Sequence, residues 1–322
     1  MKALVTGVAG FIGSQLAERL LDEGTEVRGV DRLSDYYDPA LKRTNLTSLA
    51  DREGFELVED DINSLDAEAL LEGVDVVHHL AGQPGVRVSW GTEFEIYMRD
   101  NILSTQRLLE ACRDGHVERF VLASSSSIYG DAESFPTSED ARPAPVSPYG
   151  LTKLAAEHLC RLYHRGFGIP TVALRYFTIF GPRQRPDMAF TRFIDAGLTG
   201  GTIEIFGDGL QERDFTFVGD AVAATIAAGE NGRPGAVYNV AGGNHATVVD
   251  VLEILGELLG DPLEVTHKPP VIGDARKTGA DTTRAREDLG YAPQTSLREG
   301  LALQLEAQRT ALGETGGDSG AP

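Results

Sequence analysis

An apolar run, Lys2–Thr6, breaks into Gly7-Val8-Ala9-Gly10-Phe11-Ile12-Gly13 and then into residues with a helical period. This order constrains the fold more than any other feature of the chain. A strand that ends in spaced glycines and reopens as a helix makes a turn with no side chains in its throat. Backbone N–H groups at such a helix start can approach a pyrophosphate. The spacing is G-x-x-G-x-x-G, not the more specific G-x-G-x-x-G, so the turn alone also fits a plain strand–helix connection. Context favours a dinucleotide. Asp31 falls at the end of the next apolar run, about twenty residues on, where a carboxylate takes the adenosine ribose hydroxyls. That carboxylate would repel a 2′-phosphate and favours NAD over NADP. Arg32, its neighbour, pulls the other way.

Alternating apolar runs and helical periods fill the first half. Strands are expected at 2–6, 26–31, 56–59, 74–80, 119–124 and 170–176. Helices are expected at 11–23, 65–71, 97–114 and 148–165. Such alternation implies an α/β fold, a doubly wound, Rossmann-type parallel sheet with helices on both faces. Ligands in such sheets bind beyond the carboxyl ends of the strands. Asp61-Ile62 and Leu80-Ala81-Gly82 end two strands and are expected beside the cofactor. His78 and His79 lie inside a strand and read as sheet histidines. After Gly181 the pattern loosens, with helices expected at 190–197, 248–259 and 297–312 and a strand at 236–240. The expected division is a dinucleotide-binding domain over 1–180 with a return near 213–243. A smaller C-terminal α/β substrate lobe would span 181–212 and 244–312, and a Gly- and Ser-rich disordered tail 313–322.

The length of 322 residues exceeds one ordinary core. A formal net charge of −20 argues against nucleic acid and anionic membrane surfaces as partners. The two cysteines, Cys112 and Cys160, read as reduced, buried thiols. No secretory leader pattern precedes the first strand and no long apolar run follows, so a cytoplasmic enzyme is expected. No metal site is expected.

Tyr149-Gly150-Leu151-Thr152-Lys153 places Tyr and Lys on one face of a helix. A lysine cation beside a phenol stabilises the phenolate and lowers its pKa. With the glycine turn, this pair points to proton and hydride transfer at one carbon of an alcohol. Ser124-Ser125-Ser126-Ser127-Ile128-Tyr129-Gly130 follows the fifth strand.

Here the chain resembles the extended short-chain dehydrogenase/reductases, specifically the nucleotide-sugar epimerases. The resemblance runs to about residue 312. It rests on TGVAGFIGS at 6–14, the serine run with IYG at 124–130, YGLTK at 149–153, LRYF at 174–177, GDGLQERDF at 207–215 and GDARKTGAD at 273–281. The resemblance implies that Ser125 holds the reacting sugar O4 and Tyr149 is base and acid. Lys153 would bind the nicotinamide ribose, and Tyr176 would lie near the nicotinamide. Arg213 and Arg276 would clamp the nucleotide diphosphate. Gly7, Gly10, Phe11, Ile12, Gly13, Asp31, Arg32, Asp61, Ile62, Leu80, Ala81 and Gly82 complete the implied cofactor site. Helices 97–114 and 148–165 resemble the family's dimer faces, which implies a homodimer.

Within the family, the triplet Ser125-Ser126-Ser127 lacks the acids of the 4,6-dehydratases and the Glu of the UDP-glucuronate decarboxylases. Ser34-Asp35-Tyr36-Tyr37-Asp38 with Leu41-Lys42, and Gln83-Pro84-Gly85-Val86-Arg87, resemble the UDP-glucuronate 4-epimerases. So do Arg183, Arg185, Pro186, Asp187 and Met188, and Thr178 stands where glucose epimerases usually carry Asn. The implied reaction is NAD-dependent C4 inversion of UDP-glucuronate through a 4-keto intermediate. Ser126, Ser127, Thr178, Arg87 and Arg185 would face the uronate. Gly207–Arg213 also matches UDP-glucose/UDP-galactose 4-epimerases, which stay the alternative. An inactive NAD-binding protein is disfavoured because both Tyr149 and Lys153 are present.

Overall fold

The computed structural model describes residues 1–269 and 276–316. The strands are β1 (Lys2–Thr6), β2 (Glu26–Val30), β3 (Phe55–Val58), β4 (Val76–His79), β5 (Arg119–Ser125), β6 (Thr171–Tyr176), β7 (Ile179–Phe180), β8 (Ile203–Phe206), β9 (Glu212–Phe217), β10 (Val237–Val240), β11 (Asn244–Thr247) and β12 (Val265–Lys268). The helices are α1 (Phe11–Asp22), α2 (Pro39–Leu46), α3 (Ala67–Leu70), α4 (Phe94–Tyr97), α5 (Ser104–Ala111), α6 (Pro148–Phe167), α7 (Ala189–Thr199), α8 (Val218–Asn231), α9 (Val248–Leu259), α10 (Thr283–Leu289) and α11 (Leu297–Gly316).

Seven strands form one sheet in the order β10-β6-β5-β4-β1-β2-β3. Every pairing in it is parallel. This is the doubly wound sheet expected from the alternation. The chain winds outward on one side through β2 and β3, then returns to β4 beside β1 and winds out on the other. The reversal lies between β1 and β4, where Thr6 pairs with His79. A crevice opens there beyond the carboxyl ends, and it is where ligands of such sheets bind. β4 and β6 are buried on both faces, as central parallel strands must be.

Local sequence sets the helix ends. Ser147 accepts a hydrogen bond from the Gly150 N–H, Pro148 opens α6, and left-handed Gly168 ends it. Thr247 and Asp250 form a capping box that starts α9.

The smaller lobe packs α7, α9 and α11 around Phe180, Phe190, Phe193 and Leu255. A three-stranded sheet in the order β11-β9-β7 and a two-stranded sheet of β12 and β8 support it. β10 joins the large sheet, whereas β9 pairs with β11 and β7.

Two expectations need correction, and helix α8 was not expected. The helix expected at 97–114 runs without a break from Phe94 to Ala111, but it is π-helical over Met98–Leu103 before resuming as α5. Asp100 and Asn101 both fall within these turns, and Asp100 lines the crevice. α8 was not legible because its positions are largely buried, so no polar stripe marks its period. α11 continues to Gly316, beyond the expected end at 312. Residues 317–322 of the expected tail, and Gly273, Asp274 and Ala275 of the family-like stretch, lie outside the described residues.

Candidate active site

The glycine turn is packed too tightly for side chains. A Cβ on Gly13 would lie 2.2 Å from the Gly7 carbonyl oxygen, and Gly7 itself has φ +71°. α1 starts at Gly10 with no side-chain cap and no acid in its first turn. Its first N–H groups are therefore left for an external acceptor, and their positive dipole end suits an anion. Phe11, Ile12, Leu80, Ala81 and Gly82 line the same cleft as the turn. This cradle fits a dinucleotide pyrophosphate.

Asp31, Arg32, Asp61 and Ile62 line the far end. The Asp31 carboxylate accepts from the Ala9 N–H at 3.1 Å and the Leu33 N–H at 2.8 Å. Arg32 donates to Asp61 at 3.0 Å and to both oxygens of Asp100 at 3.0 and 2.6 Å. Arg99 also pairs with Asp61. Lys42 donates to the Ser34 hydroxyl at 2.8 Å and sits over the Tyr37 ring.

Tyr149, Lys153 and Tyr176 meet in the cleft beside Ser124 at the end of β5. Burial pushes the Tyr149 phenol above its ordinary pKa; a hydrogen bond from Ser125 and the Arg185 charge pull it back. Lys153 donates to the Ala123 carbonyl at 3.0 Å rather than to the phenol. Burial lowers its ammonium to about 8, against the opposing charge of Glu157 one turn on. The Tyr176 hydroxyl bonds Thr225 at 2.6 Å.

Other implied substrate residues divide. Arg185 lines the cleft, yet its fork is closed on Asp187 by two 2.9 Å bonds, with its guanidinium 5.9 Å from the Tyr36 ring centre. Ser126 and Ser127 form a 3₁₀ turn next to Ser125, whose hydroxyl accepts from the Ser127 N–H at 3.1 Å. Thr178 lies in the β6–β7 link, and its carbonyl accepts from Thr216 at 3.0 Å. Arg87 is exposed, stacked 4.3 Å from the centre of the Phe206 ring. Arg213 on β9 donates to the Glu212 carbonyl at 2.9 Å. Arg276 makes an exposed two-bond pair with Asp208 at 3.0 Å. None of Thr178, Arg87, Arg213 and Arg276 is among the residues lining the cleft.

Sequence reasoning missed Asn101. Its amide donates to the Gln83 carbonyl at 3.1 Å and the Thr152 hydroxyl at 2.9 Å, and accepts from the Gln83 N–H at 2.7 Å. It thereby ties the π-helical turns to α6 one residue before Lys153. Tyr36, Tyr37, Lys42 and Asp100 also line the cleft. The first three lie in a stretch quoted only as family-like; no local signal marked Asp100 or Asn101. Among the described residues, no cluster of His, Cys, Asp and Glu could hold a metal ion, and no helix is long and apolar enough to cross a membrane.

Residues 3–241 match the model of the NAD dependent epimerase/dehydratase family. The chain belongs to that family. The match spans the glycine turn, the serine run and the Tyr149–Lys153 pair. The chain is 40% identical over 307 residues to a UDP-glucuronate 4-epimerase of Thermodesulfobacterium geofontis, covering 92% of this chain and 93% of that one. It is 38% identical over 313 residues to a UDP-glucose 4-epimerase of Mycolicibacterium smegmatis, covering 95% and 98%. The crystal structure of a UDP-glucuronic acid 4-epimerase from Bacillus cereus, in complex with UDP-glucuronic acid and NAD, superposes with a TM-score of 0.94 at 43% identity. That match covers 97% of this chain and all (100%) of the other. The Rossmann-type fold and the family's dependence on NAD therefore hold for this chain.

Proposed function

We propose that this protein is an NAD-dependent isomerase that inverts C4 of UDP-glucuronate to give UDP-galacturonate. One observation carries the reading. Ser125 hydrogen-bonds the Tyr149 phenol and is followed by Ser126 and Ser127, so this turn carries hydroxyls and no acid, while Tyr149 and Arg185 line one cleft. Elimination of water needs an acid at this loop. A 4-keto uronate is a β-keto acid that loses CO₂ readily, so an epimerase must hold the carboxylate out of the geometry in which its C–C bond overlaps the ketone π-system. Hydroxyls can hold a carboxylate through hydrogen bonds without protonating it.

Bound in the cleft, NAD supplies the acceptor and then the donor of the C4 hydride. The Gly7–Gly13 turn and the N-terminus of α1 hold its pyrophosphate, and Asp31 holds the adenosine ribose. Ser125 hydrogen-bonds O4, and Tyr149 takes the O4 proton and later returns it. Lys153 fixes the nicotinamide ribose and keeps positive charge near the phenol. Arg213 and Arg276 approach the diphosphate, which requires Arg276 to leave Asp208. The two named UDP-glucuronate 4-epimerase relatives support the choice of sugar.

UDP-glucose is the second reading. It is favoured by the closed Arg185–Asp187 pair, which already occupies the guanidinium fork, and by the similarity to a UDP-glucose 4-epimerase. Incubation with UDP-glucuronate and UDP-glucose separately, with products resolved by NMR, separates the two. UDP-galacturonate as the dominant product supports the proposal. Faster conversion of UDP-glucose, or release of a UDP-pentose, overturns it.

The protein is further proposed to act in the cytoplasm as a homodimer. Leu103, Leu151 and Leu162, at 46%, 50% and 64% exposure on the π-helical turns and α6, supply an apolar face for a second copy.

A further inference from the structure

Arg32 stands next to Asp31, at the place in this fold where an arginine can accept the 2′-phosphate of NADP. A guanidinium there is suited to phosphate by its fork of parallel donors. In this chain the fork is already used. Its two terminal nitrogens bond both oxygens of Asp100 at 3.0 and 2.6 Å, and one reaches Asp61 at 3.0 Å. The acids are well placed to hold it, since the Asp61 and Asp100 side chains are only 14% and 9% exposed. Asp61 is itself fixed by the Asn63 N–H at 2.8 Å and by Arg99. Asp100 lies in the π-helical stretch Met98–Leu103 and lines the cleft.

We propose that Asp100, with Asp61, is a positioning residue for cofactor choice: it engages the Arg32 fork and so denies NADP a phosphate partner. Asp31 alone is then only half of the selectivity. It repels the 2′-phosphate directly, and Asp100 withholds the arginine that would offset that repulsion. Lys42 is a second cation at this end, but it is held by Ser34 and Tyr37 and has no contact with Asp100. The proposal rests on the NAD-binding reading of the cleft.

The test is calorimetric binding of NAD and NADP to cofactor-stripped protein in an Asp31→Asn background, which lessens direct repulsion. Asp100→Asn is added with Arg32 present and with Arg32→Ala. A hydrogen bond to a charged group is worth about ten- to a hundredfold in binding. The NADP to NAD affinity ratio should therefore rise at least about tenfold on adding Asp100→Asn, and only when Arg32 is present. An unchanged ratio, or an equal rise without Arg32, overturns the proposal. If Asp100→Asn does not fold, Asp61→Asn frees the other side of the same fork and is read the same way. Failure of the unsubstituted protein to bind either dinucleotide would instead strike the cofactor reading itself.

Discussion

Tyr149 occupies a site that opposes its own ionisation. Burial raises the phenol, and only the Ser125 hydroxyl and the Arg185 charge offset it. On the proposed reading this suits a residue that takes a sugar-hydroxyl proton where water is excluded. Tyr149→Phe should retain nucleotide-sugar binding and lose turnover by at least roughly 10²–10⁴-fold, measured by NMR turnover and calorimetric binding. Turnover near the unsubstituted rate would mean that another group is the base. Arg185 presents a different case. On the proposed reading a uronate would replace the Asp187 carboxylate on this fork, so the net gain is smaller than for a free arginine. Arg185→Ala should still cost UDP-glucuronate turnover up to about ten- to a hundredfold and leave UDP-glucose turnover nearly unchanged. Equal losses on both sugars would assign Arg185 to loop structure. The Tyr149–Lys153 spacing and the serine run were legible in sequence because both are local. Asn101 was not, because its partners, Gln83 and Thr152, come from two other segments.

Among the elements, the β1–α1 turn leaves least freedom. Gly13 faces the Gly7 carbonyl so closely that a methyl group cannot be accommodated without moving backbone. Overpacking of this kind costs about 1–3 kcal/mol, and here the displacement falls on the pyrophosphate cradle. Gly13→Ala should therefore retain roughly ten- to a hundredfold less NAD while keeping its far-ultraviolet circular dichroism. Bound NAD after purification is the measurement, and unchanged NAD content would show that the turn does not carry the pyrophosphate. This element was legible because glycine spacing and strand–helix order encode it directly. The π-helical turns were not, because nothing in the local pattern of 97–114 separates them from the flanking α-helical turns. α8 was missed for the opposite reason: burial along most of its length erased the periodic signal.

At the scale of the molecule, sequence and fold agree best where the chain alternates. Each parallel strand and crossover helix is a local unit, so the order of the large sheet up to β6 follows from pattern and handedness. Beyond Gly181 the pairings are long-range, such as β9 with β11 and β8 with β12, and short strands carry little pattern of their own. The central strand β4 joins site and stability. It places His78 and His79 in the middle of the sheet, where burial lowers them to about 4 and about 3, His79 also feeling the Lys153 charge. His79 is held between the Thr6 and Thr105 hydroxyls at 2.8 and 3.1 Å. Both rings are neutral in the fold, whereas unfolded histidines gain a proton below their ordinary value near 6.5. The unfolded chain thus binds more protons from about pH 6.5 downward, so stability is complete above that value and falls as pH drops toward the folded values. Each histidine should bring the slope toward about 1.4 kcal/mol per pH unit. Urea unfolding between about pH 6.5 and 5, above the range of ordinary carboxylates, isolates this contribution. His78→Asn should remove close to half of the slope there, since His79 would still titrate on unfolding. A stability that does not change across that window would mean the sheet tolerates charged imidazoles at β4, and the barrier to acid unfolding would have to lie among the carboxylates instead.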